Sequence, residues 1–227
     1  MVRVLTWNLF HGRSVPDRPR ELLAEFAATI AAWDWDVAAL QEVPPWWPPV
    51  LGQAAGALAF TALTSRNQLP ALRRFAARRR PDLMKSGGGG ANAILVRGHG
   101  VTEHRRRRVQ LLPERRVLHA VRRDDGLWIG NLHATAHDEA RAQGDLEESA
   151  AAMLRWAGSG APCVIGADCN TRTPRFPGFE HCGGHVIDHV FARGLEADAP
   201  PELPGRGALS DHVPVLVALR PRTRDTA

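Results

Sequence analysis

Residues 207–219 read Gly-Ala-Leu-Ser-Asp-His-Val-Pro-Val-Leu-Val-Ala-Leu, and the order of residue types in that stretch governs the reading of the whole chain. A turn-like Gly-Ala-Leu-Ser leads to two chemically capable side chains, Asp211 and His212, and then to an apolar run with the character of a buried strand. Pro214 stands two residues beyond His212, where its fixed φ helps hold the backbone. Neighbours on an extended chain point to opposite faces, so Asp211 is poorly placed to serve as the partner of His212.

The same arrangement recurs toward the N-terminus. "APCVIGADCN" (161–170) runs out at Asp168 and Asn170, "HVIDHVFA" (185–192) carries Asp188, and "LWIGNLHAT" (127–135) carries His133. "DVAALQEV" (36–43) ends at Gln41-Glu42, and "VRVLTWNLF" (2–10) contains Asn8. In a packed sheet, such residues at strand ends converge on one rim while the apolar positions carry the fold. One such placement is what chance supplies; six are not.

Between these strands the pattern predicts helices. "PRELLAEFAATIAAW" (19–33) has helical spacing of Leu22, Leu23, Phe26 and Ile30, with Pro19 near its first turn. A second helix is expected from about Trp47 to Ala59, after a Pro-rich turn. A third, long one runs from Asp138 to Gly158, with Leu146, Ala150, Met153, Leu154 and Ala157 on one side; Gly144 weakens it by about 1 kcal/mol relative to alanine. "SGGGGANAILVRG" (86–98) reads as a flexible loop running into a strand, and two further strands fall at 101–111 and 115–123. The alternation makes this an α/β chain. No internal repeat or dividing linker is visible, so a single domain over 1–220 is expected, with 221–227 a frayed tail.

Composition narrows the function classes. Of 227 residues, 44% are hydrophobic and 23% charged, ordinary values that point neither to disorder nor to a membrane protein. The longest uncharged apolar stretch, around "AAGALAF" (54–60), is far short of the roughly 20 residues of a spanning helix. The N-terminus lacks the features of a secretory signal, so a cytoplasmic protein is expected. Cys163, Cys169 and Cys182 form no Cys-x-x-Cys pattern, and "HCGGH" (181–185) matches no common zinc spacing. The net charge of +5 invites a nucleic-acid partner. Of the 29 basic residues only Lys85 is lysine, and with the abundance of Ala, Pro and Gly this is also what a GC-biased coding sequence produces. Two clusters concentrate the charge: "RRFAARRR" (73–80) and "HRRRR" (104–108), the latter in an expected edge strand. Arginine forks suit phosphate oxygens; otherwise both are solvated faces.

Taken in order, "LTWNL" with Asn8, "LQEV" with Glu42, "GNLHA" with His133, "IGADCN" with Asp168 and Asn170, "VIDHVF" with Asp188 and "SDHVPV" with Asp211 and His212 resemble the endonuclease/exonuclease/phosphatase superfamily. That superfamily includes DNase I, exonuclease III-like enzymes, inositol polyphosphate phosphatases, sphingomyelinases and deadenylases. The resemblance spans Val4 to Val215. It implies a four-layered α/β sandwich, two mixed sheets face to face and flanked by helices, and hydrolysis of phosphodiester bonds with Mg²⁺ or Mn²⁺.

Such chemistry needs an activated water, charge neutralisation at the phosphoryl oxygens and help for the leaving oxygen. Mg²⁺ takes few carboxylates and keeps several waters, which makes Glu42 the leading ligand candidate. The resemblance adds Asn8 and Asp211 to the metal. It gives Asp168 and Asn170 the attacking water and the pentacovalent phosphorus, pairs Asp188 with His212, and assigns His133 to a phosphate oxygen or the leaving group. The superfamily commonly has Gly-Asp-Phe-Asn where this chain has Gly166-Ala167-Asp168-Cys169-Asn170, and this chain has no tyrosine. Asn92, ahead of an apolar strand, is a candidate substrate contact. Trp46 and Trp47 follow Glu42 closely and are candidates for stacking on a base or sugar, or else for capping a helix and packing on the core. The expected substrate is DNA or RNA. A small phosphorylated molecule or lipid head group is the alternative, and a catalytically silent binding module the third reading. A monomer is expected.

Overall fold

The computed structural model describes residues 1–64, 75, 90–112 and 114–222. Among the described residues, twelve strands form two six-stranded sheets. The first contains β1 (Val2–Asn8), β2 (Val37–Val43), β3 (Ala57–Leu63), β4 (Ala91–Arg97), β11 (Leu195–Ala197) and β12 (Val215–Pro221), in the order β11-β12-β1-β2-β4-β3. The second contains β5 (Val101–Gln110), β6 (Arg116–Arg123), β7 (Trp128–His133), β8 (Cys163–Asp168), β9 (Glu180–His185) and β10 (Asp188–Arg193), in the order β5-β6-β7-β8-β10-β9. Both are mixed: β1 runs parallel to β2 and β7 to β8, while the other neighbouring strands are antiparallel.

Among the described residues, the helices that complete the layers are α1 (Leu23–Ala32), α2 (Pro48–Ala55) and α3 (Glu139–Ala157). Alternation along the strands builds three apolar interfaces. Leu5 and Trp7 of β1 pack with Phe26, Ile30 and Leu51 under α1 and α2. Val2 and Val4 face the other way, meeting Ile129, Val164, Val190 and Val217 between the sheets. Cys163, Ile165 and Ala167 pack under α3 with Leu146, Ala150 and Met153. The order helix, sheet, sheet, helix is the expected four-layered sandwich. Strands buried on both faces read as nearly continuous apolar runs, which is why they were visible in sequence. Among the described residues, no helix is long and apolar enough to cross a membrane. The three cysteines are free and buried.

Several local expectations differ from the structure. The second helix stops at Ala55, because Gly56 adopts a left-handed conformation (φ 64°) and its N–H closes the last turn; the next residues form β3. α1 begins at Leu23, four residues after Pro19. "HVIDHVFA" is not one strand: β9 ends at His185, Val186 takes a positive φ of 55°, and β10 starts at Asp188. The last strand runs on to Pro221. "RRFAARRR" apart from Phe75, most of the glycine-rich loop and the tail 223–227 lie outside the described residues.

Candidate active site

Topology brings the polar positions together. β1, β2, β7 and β8 end at one rim, and β10 and the segment before β12, being antiparallel to their neighbours, begin at that same rim. Asn8 and His133 are the last residues of their strands, Asp168 is the last of β8, and Asp188 is the first of β10. Their parity is also right. Val4, Thr6 and Asn8 share the face of β1 toward the second sheet, and Val164, Gly166 and Asp168 share the opposing face of β8. The site is therefore the open end of the space between the sheets.

Glu42 reaches it by a different device. Alternation alone would aim Glu42 at the helices, because Gln41 already faces the second sheet, where its Nε2 donates to Asn131 Oδ1 at 2.9 Å. The pairing of β2 with β4 slips between Leu40 and Val43, and Glu42 takes a φ of 50°. This bulge re-aims its carboxylate into the rim. Phe10 (49°), His11 (53°), Asn170 (49°) and Ser210 (60°) take left-handed backbone as well, so strain gathers where the polar groups meet.

The contacts form one continuous chain. His11 Nε2 lies 3.1 Å from Glu42 Oε2. Glu42 Oε1 is 3.8 Å from His133 Nδ1, and His133 Nε2 is 3.5 Å from Asp168 Oδ2. Asn8 Nδ2 donates to Asp168 Oδ2 at 2.8 Å, and its Oδ1 accepts from the Phe10 N–H at 2.9 Å. Asp168 Oδ1 accepts from the Asn170 N–H at 3.1 Å; the Asn170 amide in turn donates to Ala134 O at 3.0 Å. His212 Nε2 is 3.9 Å from both Asp168 Oδ2 and Asp211 Oδ1, and its Nδ1 is 2.7 Å from Asp188 Oδ2. The backbone of His212 is pinned from below: Trp7 Nε1 donates to His212 O at 3.0 Å, while Ser210 Oγ accepts from the His212 N–H and donates to Asn8 O.

Electrostatics divides these groups. Burial raises Glu42, Asp168 and Asp188, with hydrogen bonds and histidine charges only partly offsetting it. Burial would lower His212, but the Asp188 hydrogen bond and the charges of Asp188, Asp168 and Asp211 outweigh it and raise the imidazole to about 9. His133 goes the other way, held well below its ordinary value by burial first and then by the charges of Arg116, His212 and His11. Both effects favour its neutral form.

The donor set suits a hard divalent cation. Three carboxylates crowd one rim under a desolvation penalty that a cation would relieve, and Glu42, with 21% of its side chain exposed, faces the opening. Asn8 Oδ1 has one lone pair beyond its bond to Phe10, and Asp211 is 44% exposed. Asp168, Asp188 and His212 could also converge on an ion, but the short Asp188–His212 bond already occupies that pair. A second convergent group, His99, Asp124 and Asp125, lies at the opposite rim; both ring nitrogens of His99 are engaged there, by Asp124 and Arg123.

Two expected substrate contacts, Trp47 and Asn92, are corrected. Trp47 is 2% exposed, stacks obliquely with Phe26 and donates to Glu21 at 3.2 Å, so it is a core residue. Trp46, by contrast, is only half-buried; it donates to Glu21 and packs on the edge of the same cluster. Asn92 is 1% exposed and spans the sheets, donating to Val117 O at 2.9 Å. In the other direction, sequence reading missed His11, Ser210 and Arg116. Arg116 opens β6, is 5% exposed, pairs with Glu114 at 2.9 Å, and its charge acts on both His133 and Asp168. A lone histidine after a strand, or one arginine in an arginine-rich chain, carries no signal of its own.

Comparison with known proteins bears on the family and the fold. The sequence profile of the Endonuclease/Exonuclease/phosphatase family matches residues 5–212. No curated protein sequence matches significantly. Among solved structures, an endonuclease/exonuclease/phosphatase from Beutenbergia cavernae DSM 12333 is similar with a TM-score of 0.73 and 20% identity, over 97% of this chain and 71% of that one. The Bacteroides thetaiotaomicron VPI-5482 mannosyl-6-phosphatase Bt3783 gives 0.71 and 14%, over 97% and 100%. Truncated Caenorhabditis elegans TDP2 gives 0.66 and 16%, over 95% and 96%. At these identities the likeness is one of fold.

Proposed function

Because the chain belongs to the endonuclease/exonuclease/phosphatase family, whose members are phosphoester hydrolases, we propose that it is a divalent-metal-dependent phosphodiesterase acting on DNA or RNA. The observation that carries this reading is the unbroken series Glu42, His133, Asp168, His212 and Asp188 at the mouth between the sheets.

Glu42, with Asn8 and Asp211, would hold Mg²⁺ or Mn²⁺. When bound, the cation neutralises charge building on the phosphoryl oxygens. The proton work falls to His212. Asp188 occupies Nδ1 and so leaves Nε2 facing the site, where the ring, in its deprotonated form, takes a proton from the attacking water and the carboxylate steadies the resulting imidazolium. Asp168, fixed through one oxygen by Asn170 and through the other by Asn8, orients that water. His133, kept neutral by burial, donates a hydrogen bond to a phosphoryl or leaving-group oxygen.

The net charge of +5 favours a polyanion. A second reading, hydrolysis of a small phosphorylated molecule, draws on the mannosyl-6-phosphatase that shares the fold as fully. Purified protein and its His212→Ala variant, assayed with and without Mg²⁺ or Mn²⁺ on plasmid, single-stranded DNA, RNA and an aryl phosphodiester, separate the two. The expected result is metal-dependent cleavage of nucleic acid that His212→Ala abolishes while the variant melts close to the parent. Turnover of small phosphates alone supports the second reading. A folded protein inert on every substrate would instead be a binding module.

A further inference from the structure

The four consecutive arginines of β5 fall into two classes. Arg105 and Arg107 turn toward α3. Arg105 pairs with Glu103 and lies over Trp128 and Trp156, at 5.3 and 5.9 Å from the ring centroids, and Arg107 pairs with Glu148 of α3. Arg106 and Arg108 turn to the opposite face, the one on which His104 meets Phe60 of β3, with ring centroids 5.4 Å apart. Both are exposed, and among the described residues neither has a hydrogen bond or ion pair. Like charges on one face of a strand repel, and among the described residues no carboxylate pairs with them.

Their place in the sheet gives these cations an address. β5 is the edge strand, pairing Arg106 with His119 and Arg108 with Val117. The β6–β7 register sets His119 opposite Asn131 and so brings Val117 level with His133. Neighbouring strands are about 4.8 Å apart, which puts Arg108 level with the catalytic rim and about 10 Å from His133 across two strand spacings. Arg106 follows about 7 Å further along the strand. Arg116, one strand inward, continues the positive charge to His133 and Asp168.

We propose that Arg106 and Arg108 form a track for the phosphate backbone of a nucleic-acid strand, holding phosphates on one side of the scissile bond. The inference rests on the nucleic-acid reading above. Arginine forks suit phosphate oxygens, and contacts of this kind fix register without reading sequence. Paired arginines that brace α3 are structural, whereas unpaired ones in line with the site remain available to a polyanion.

The test measures binding apart from cleavage. Affinity for a fluorescein-labelled single-stranded oligonucleotide is followed by anisotropy in EDTA over a range of NaCl concentrations, for the parent, for Arg106→Gln/Arg108→Gln, and for Arg220→Gln/Arg222→Gln. The last pair removes the same formal charge at the opposite rim. The track variant is expected to bind about tenfold more weakly at low salt, with the slope of log K against log salt reduced by about 1.4. The control pair shifts the slope little, and Mn²⁺-dependent hydrolysis of bis(p-nitrophenyl) phosphate is unchanged in the track variant. Equal weakening in both pairs, or an unchanged slope, overturns the track. A parent that hydrolyses the aryl ester but binds no oligonucleotide overturns both the track and the nucleic-acid substrate while leaving the phosphoesterase chemistry. A parent that binds through Arg106 and Arg108 yet hydrolyses nothing upholds the track and sinks the catalytic reading.

Discussion

Asp188 Oδ2 and His212 Nδ1 stand 2.7 Å apart, joining the first residue of β10 in one sheet to the segment that enters β12 in the other. The bond fixes the imidazole's orientation, leaves Nε2 as its working atom and makes the charged ring the stable form near neutral pH.

Asp188→Asn tests that pairing. With the carboxylate present, the folded-state pKa of His212 is raised to about 9, above the value near 6.5 of an unfolded chain. Its contribution to stability is therefore complete below about pH 6.5 and is lost as pH rises toward 9. A base must be deprotonated to act, so the acidic limb of kcat/KM reports this group. Asn at 188 should move the limb to lower pH and reduce kcat by about 10²–10⁴-fold. An unshifted limb in pH–rate profiles on an aryl phosphodiester would separate His212 from the proton transfer.

Glu42→Gln should trade activity for stability. Burial raises the Glu42 pKa, so folding is favoured while the group is protonated, and that advantage disappears as pH rises through the folded-state value. At pH 7 without metal, the neutral amide should stabilise the protein by about 1 kcal/mol, abolish turnover and erase the rise in Tm that Mn²⁺ gives the parent. Thermal melts with and without Mn²⁺ check all three; a variant that still gains Tm with metal places the ligand elsewhere.

His11→Ala addresses the group that sequence reading missed. His11 Nε2 sits 3.1 Å from a Glu42 oxygen, and partners that orient a ligating carboxylate are worth about 10–100-fold in metal affinity. Calorimetric titration with Mn²⁺ should show a loss of at least about tenfold, and saturating Mn²⁺ should restore most of kcat. If affinity is unchanged, His11 does not orient the ligand.

Trp47→Ala should destabilise the fold without altering substrate preference. Its indole fills the space under α1 and against Gly12, and removing a buried aromatic costs about 3–5 kcal/mol. Denaturant unfolding measures the loss. An unchanged KM for oligonucleotide in whatever folded fraction remains distinguishes core packing from base stacking.

The rim was legible in sequence because the sandwich buries both faces of its central strands, so a polar residue inside or beside an apolar run stood out. Asn8, Glu42, His133, Asp168, Asp188 and His212 all meet where the pattern put them. What could not be read depends on geometry that residue types do not encode. The bulge that turns Glu42 inward is a pairing slip between strands far apart in sequence. Trp47 followed the ligand as an overhanging aromatic would, and only the packing of α1 and α2 showed it to be core. The helix end at Gly56 was available in principle, since a glycine there is a common left-handed cap, but the alanines on either side masked it. Arg106 and Arg108 could not be told from Arg105 and Arg107 until α3 claimed the latter pair.

Gly166 has no chemistry of its own, yet a methyl group there would come within 2.8 Å of Ala39 and 2.9 Å of Thr6 across the gap. It acts as a caliper. Asn8 and Glu42 hang from one jaw, His133, Asp168 and Asp188 from the other, and the closeness of their atoms is set by how nearly the two backbones can touch at this point. The gauge of the catalytic mouth is thus written in the absence of a side chain, two positions before the aspartate it serves.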